Sequence, residues 1–147
     1  MKARCSLKTP GRNLVMPDKY LIDTSVWIEF FRKKRIDISL KLKNYMKLNQ
    51  VYYTGPIAVE MYQGAKTQKE LQVLDELFQT IAYIETTRTH YHRAGLIGQK
   101  AAREGKIFST VDLIIAVVAY EERLSLFTLD SHFRDISRYC ELSLVTL

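Results

Sequence analysis

The sequence predicts an α/β domain built on a parallel sheet, and three observations lead there. Short apolar runs such as KYLI, VYYT and SLFTL alternate with longer segments of helical period. Strands separated by helices in this way pair in parallel, because each crossover returns the chain to the same edge. At 147 residues the chain fits one domain with a sizeable core and no need of staples.

The elements follow in order. KYLI is strand-like, VWIEFFRKK is helical, and ISLKLKNYMKL places Leu42, Tyr45 and Met46 on one helical face. VYYTGPIA reads as a second strand whose end is broken by Gly55 and Pro56, after which AVEMYQGA resumes as a short helix. In KELQVLDELFQTI, Leu71, Leu74, Phe78 and Ile81 form the stripe of an amphipathic helix that core packing fully explains. HYHRAGLIGQKAAREG gathers Ala94, Ile97, Gly98 and Ala101 on a small-residue face that lets another helix approach closely, and Gly105 closes it. TVDLIIAVVAYEERL is a mostly buried helix, SLFTLD a strand, HFRDISR a short helix and LSLVTL a last strand.

Composition narrows the function classes. Hydrophobic residues make up 47% and charged residues 26%, with few Gly or Pro, as in a soluble globular protein. Cys5 and Cys140 follow no metal or redox spacing and are too few for a disulfide scaffold, which favours a reducing, cytoplasmic setting. The longest apolar run, LIIAVVAY, falls far short of the roughly 20 residues that a membrane helix needs. Net charge is +6, but Lys2, Arg4, Lys8 and Arg12 supply four of those charges within residues 1–15, which hold no acid. Basicity is therefore weak evidence for a nucleic-acid partner. The N-terminal stretch has no apolar segment of a secretory signal, and residues 1–15 are expected to be a flexible extension or an upstream start before a domain spanning 16–147.

The acids carry the chemistry. Asp23 ends the first strand, Glu60 follows the Gly-Pro break, Asp112 opens the buried helix and Asp130 ends SLFTL. Each has an ordinary explanation: Asp23 and Asp130 as helix caps, Glu60 as a partner of a helix dipole, and Asp112 as the fourth position of a capping box begun by Ser109. Together they predict four carboxylates on the sheet edge where α/β folds bind ligands. Their mutual repulsion calls for a cation. An all-oxygen set without Cys or paired His suits Mg²⁺ or Mn²⁺, which would polarise a phosphoryl oxygen and activate water for in-line attack. Phosphodiester hydrolysis is the reaction this suggests.

At these residues the sequence resembles a known family. LIDTSVW, the acid in PIAVEMYQGA, STVDLIIAVVA and FTLDSHF together look like the four signature blocks of PIN domains, most closely the VapC-type toxin ribonucleases of prokaryotic toxin–antitoxin pairs. The resemblance spans residues 20–133 in the right order. It implies a three-layer α/β/α fold, an acidic Mg²⁺ or Mn²⁺ site, cleavage of single-stranded regions of RNA, homodimerisation and inhibition by a cognate small antitoxin. Asp23, Glu60, Asp112 and Asp130 match the family's four acids, and Thr24 and Thr128 match hydroxyl positions that orient acids or waters. These toxins usually start close to the first strand, so residues 1–15 depart from the pattern.

Other residues invite a functional reading. Arg32, Lys33, Lys34 and Arg35 form a tetrabasic run that can grip RNA phosphates or simply end a helix favourably. His90 and His92, two apart, point away from each other on a helix and do not make a metal pair. His132 follows Asp130 closely but reads first as a solvated helix-start residue, and Trp27, Phe30 and Phe31 as packing. Ser25, two residues after Asp23, stands where a haloacid-type phosphatase would carry its second Asp, and no phosphate-cradling glycine loop is present. The rival reading is a non-catalytic or solitary RNA-binding or RNA-processing module of the same fold. Retention of all four acids argues against a non-catalytic one.

Overall fold

The computed structural model describes residues 18–147, so the expectations for residues 1–15 lie outside the described residues. Among the described residues four strands, β1 (Tyr20–Ile22), β2 (Val51–Tyr53), β3 (Ala82–Tyr83) and β4 (Ser125–Phe127), form one sheet in the order β3-β2-β1-β4. All pairs are parallel, with Leu21 opposite both Tyr52 and Leu126. Neighbouring residues in a strand face opposite sides of a sheet. Leu21 and Ile22 are both fully buried, as are Leu126 and Phe127, so helices cover both faces and the architecture has three layers.

Among the described residues seven helices join and flank the strands: α1 (Thr24–Arg32), α2 (Ile36–Lys47), α3 (Gly55–Gly64), α4 (Gln68–Thr80), α5 (Arg88–Arg103), α6 (Thr110–Glu121) and α7 (His132–Ile136). α6 is the central one, with Ile115, Ala116, Val117, Val118 and Ala119 all fully buried. The small-residue face of α5 lies against it: a Cβ added to Gly98 would stand 2.9 Å from the Leu113 side chain, a separation real structures avoid. Gly98 therefore sets the distance between these helices. Gly105 ends the segment at φ +81, a conformation that costs glycine little.

Several boundaries differ from those the sequence predicts. Gly55 and Pro56 do not merely end a strand; they form the first turn of α3, where the missing proline N–H would have had no helical partner. β3 has no counterpart among the predicted strands, because its two residues are both exposed at the sheet edge and show no apolar alternation. LSLVTL is not a full strand. It contributes one bridge, Leu144 to Leu126, with Leu126 N donating to the Ser143 carbonyl (2.8 Å) and Val145 N to the Leu126 carbonyl (2.9 Å). On α4 the deepest residues are Leu74 and Leu77, while Leu71, Phe78 and Ile81 are half-buried. Trp27 is fully buried as packing predicts, but Phe31 is 40% exposed.

Candidate active site

Asp23 is placed by the sheet. It follows β1 directly, and its N–H donates to the Phe127 carbonyl at 2.9 Å, so the end of β1 is locked beside the end of β4. The residue is only 6% exposed and its side chain makes no capping bond to α1. Its Oδ2 instead accepts from the hydroxyls of Ser25 (2.7 Å) and Thr128 (2.8 Å). The helix-cap explanation therefore fails for Asp23.

The two hydroxyls also organise the facing loop. Ser25 Oγ accepts the Leu129 N–H at 3.0 Å, and Thr128 Oγ1 accepts the Asp130 N–H at 3.0 Å. Thr128 thus couples Asp23 to Asp130 across β1 and β4. In the sequence Ser25 stands out only as the wrong residue for a phosphatase; its role as a brace depends on the contact with residues 128–129, more than a hundred positions away.

Glu60 reaches the same region by another route. It lies in the second turn of α3, not in the first, so the helix-dipole explanation does not hold and neither does the simple rule that all four acids sit at strand or helix ends. Thr24 Oγ1 donates to Glu60 Oε1 at 3.1 Å and fixes it next to Asp23. Burial pushes the Glu60 carboxyl up, the Thr24 bond opposes this, and the nearby Asp23 and Asp112 charges add to the rise. Asp112 is also pushed up, first by burial, with the Ser109 hydroxyl opposing and Asp130 and Asp23 repelling. Each acid's field is felt by another, so the four share one electrostatic site.

Asp112 and Asp130 retain part of their capping roles. Ser109 Oγ accepts the Asp112 N–H at 3.1 Å as the cap of α6, and Asp130 Oδ1 accepts the His132 N–H at 2.9 Å at the start of α7. His132 is the unexpected member. Its Nδ1 lies 3.2 Å from Asp130 Oδ1, and Asp112, Asp130 and His132 each offer a ligand atom within 4.8 Å of the others. Asp23 and Glu60 stand outside that triad. An opening of about 560 Å³ adjoins it, bordered by Lys106, Ser109, Asp112, His132, Asp135 and Arg138.

The remaining candidates separate from this rim. Arg32–Arg35 lies at the far end of α1 from Asp23, roughly 13 Å along a helix of this length. Within it Arg32 pairs with Glu29 (3.3 Å) and Arg35 with Asp37 (2.8 Å). His90 is buried, with Nδ1 accepting the Thr87 N–H at 2.9 Å and Nε2 3.1 Å from Glu122, while His92 is exposed. They do not meet, as their spacing predicts.

Known proteins share this arrangement of elements. The family model described as PIN domain matches residues 20–139. The chain belongs to the PIN domain family. Comparison with curated proteins returned no match. Among solved structures, this PIN domain superposes on VapBC2 from Rickettsia felis, bound to a DNA fragment from the promoter, with a TM-score of 0.71 and 20% identity over 86% of this chain and 96% of that one. DNA-bound VapBC from Salmonella typhimurium gives 0.71 with 18% identity, covering 88% and 98%. VapC20 from Mycobacterium tuberculosis, described as a sarcin-ricin loop cleaving toxin, gives 0.60 with 14% identity, covering 80% and 94%. At these identities the likeness is one of fold.

Proposed function

We propose that this PIN domain is a divalent-metal-dependent endoribonuclease that cuts single-stranded regions of cellular RNA and serves as the toxin of a toxin–antitoxin pair in the cytoplasm. The observation that carries the reading is the convergence of Asp23, Glu60, Asp112 and Asp130 on one rim, two of them held unusually basic by burial and by the other acids. Buried like charges of this kind suit a counter-cation, and hard oxygen donors suit Mg²⁺ or Mn²⁺. Asp112 and Asp130 would hold the ion, with Asp23 and Glu60 acting directly or through water. The ion would supply charge neutralisation at the phosphate and activation of water. The chain's own part is to fix the acids: Thr24 orients Glu60, while Ser25 and Thr128 orient Asp23.

Lys106 and Arg138, at the opening beside Asp112, are basic groups close to the acids, and Arg32, Lys33, Lys34 and Arg35 would grip RNA phosphate farther along. A second groove, of about 580 Å³, runs from Arg32 over Ile28, Phe31, Met61 and Val73 and ends at Thr24 and Glu60. Its apolar floor and acidic end favour a small antitoxin that packs an amphipathic segment there and extends an Arg or Lys to the acids. Several solved neighbours are VapBC complexes, which supports a partner of this kind. Homodimerisation belongs to the same reading. Among the described residues no helix is long and apolar enough to cross a membrane.

Induced expression tests the proposal most directly. Wild-type protein should arrest growth, purified protein with Mg²⁺ or Mn²⁺ should cut RNA internally, and Asp23→Ala or Asp112→Asn should abolish both effects. Coexpression with the adjacent small antitoxin should yield an inactive complex. Equal toxicity of wild type and mutants would overturn the nuclease reading. A nuclease that no neighbouring small protein inhibits would instead be a solitary RNA-processing enzyme.

A further inference from the structure

We propose that His132 is a direct nitrogen ligand of the divalent ion, completing a set with Asp112 and Asp130 and tilting the site from Mg²⁺ towards a first-row transition ion. The inference rests on the metal-nuclease reading above and adds a donor that an all-carboxylate site lacks.

Geometry comes first. Donors that share one ion at roughly 2.1 Å lie at most about 4.2 Å apart. The ligand atoms of Asp112, Asp130 and His132 fall within 4.8 Å of one another, so small side-chain rotations close the set. The His132 N–H bond to Asp130 Oδ1 at 2.9 Å pins the residue to the acid, and ring Nδ1 stays 3.2 Å from the same oxygen. A separation of 3.2 Å between Nδ1 and Oδ1 suits two neighbouring donors on one ion, so these two atoms are the ligands. The imidazole side chain is 67% exposed, so packing does not hold it away from the opening that it borders with Asp112.

Chemistry supplies the consequence. A neutral imidazole keeps a lone pair on one ring nitrogen in either tautomer. With the ring proton on Nε2, Nδ1 presents its lone pair beside Asp130 and is the nitrogen that binds. Mg²⁺ strongly prefers oxygen and surrenders water reluctantly, whereas transition ions accept imidazole readily. One nitrogen in three protein donors therefore discriminates between ions that four carboxylates would treat alike.

Mn²⁺ is the probe, and binding and spectroscopy provide the readouts. Calorimetry of the full chain should show Mn²⁺ binding that Asp112→Asn abolishes and His132→Ala weakens about tenfold or more. Mg²⁺ affinity should fall less than about threefold in His132→Ala, because oxygen donors carry it. Electron spin echo envelope modulation of the Mn²⁺ complex should show nitrogen coupling from one directly bound imidazole. That coupling should vanish in His132→Ala and persist in His92→Ala. Tight Mn²⁺ binding that depends on Asp112 but shows no nitrogen coupling would overturn the role of His132 and leave the metal site standing. Failure to bind Mn²⁺, or binding indifferent to Asp112→Asn, would overturn both.

Discussion

Thr128 Oγ1 donates to Asp23 Oδ2 at 2.8 Å while accepting the Asp130 N–H at 3.0 Å, so one hydroxyl from the end of β4 sets the relation between two acids of the site. Thr128→Val keeps the shape and removes both bonds. It should cost about 1–3 kcal/mol in urea unfolding, the usual penalty for stranding partly buried polar partners. Cleavage should fall at least about tenfold, since a misplaced acid loses positioning worth that much. Thr128→Ser should recover most of both.

The raised Glu60 and Asp112 carboxyls make stability depend on pH. Their unfolded values are close to 4.5 and 3.8, and folding raises both. Each group's contribution is therefore fully present below its unfolded value and is lost as pH rises through the folded value. The metal-free protein should melt at a higher temperature near pH 5 than near pH 7. Asp112→Asn, which is neutral at every pH, should raise the metal-free melting temperature at pH 7 and flatten this dependence while abolishing cleavage. A mutant less stable than wild type at pH 7 would show that the Asp112 charge is not repelled in the fold.

Divalent metal should act in the opposite sense. An ion that binds the folded rim at about 100 times its Kd stabilises by about 2.7 kcal/mol. Mg²⁺ or Mn²⁺ should therefore raise the melting temperature at pH 7, and the increment should shrink as pH falls and protons compete for Glu60 and Asp112. Scanning calorimetry with and without chelator measures both effects.

Gly98 offers a test of the fold away from the site. Gly98→Ala gains up to about 1 kcal/mol of helix propensity. Part of this gain is offset by pressure on Leu113, whose side chain would lie 2.9 Å from the new Cβ. A small net change is expected. Gly98→Leu overfills the α5–α6 contact and should destabilise by about 1–3 kcal/mol. Equilibrium unfolding distinguishes the two.

Residues 1–15 carry four of the six net positive charges. If they serve only as an extension, a chain beginning at Met16 should keep its cleavage position and metal requirement. For every RNA phosphate that these residues neutralise, their removal should reduce the slope of log affinity against log salt by roughly 0.7 on a single strand. A shifted cleavage site or loss of folding would assign these residues to the domain.

The sequence by itself determined the order of the helices and of β1, β2 and β4, and much of their character, but not β3. Alternation of apolar runs with helical periods reports how each segment is buried, and burial is a local pattern: it marked α6 as mostly buried and the Ala94–Ala101 face of α5 as a close contact. It also placed Asp23, Asp112 and Asp130 at the ends of elements, where a parallel sheet gathers residues from distant segments. The tertiary structure alone decided which groups touch. Ser25 and Thr128 brace Asp23 and Thr24 holds a mid-helix Glu60, through contacts that span up to 105 positions along the chain, and His132 comes within 4.8 Å of Asp112. The tetrabasic run starts at the far end of α1, where Arg32 lines the groove that ends at Thr24 and Glu60 and Lys33, Lys34 and Arg35 follow beyond the helix. No periodicity encodes these outcomes, because they depend on the register of β1 against β4 and on where each crossover helix returns the chain. Those are fixed by the packed core as a whole, in which Leu21, Ile22, Leu126 and Phe127 are buried on both faces of the sheet.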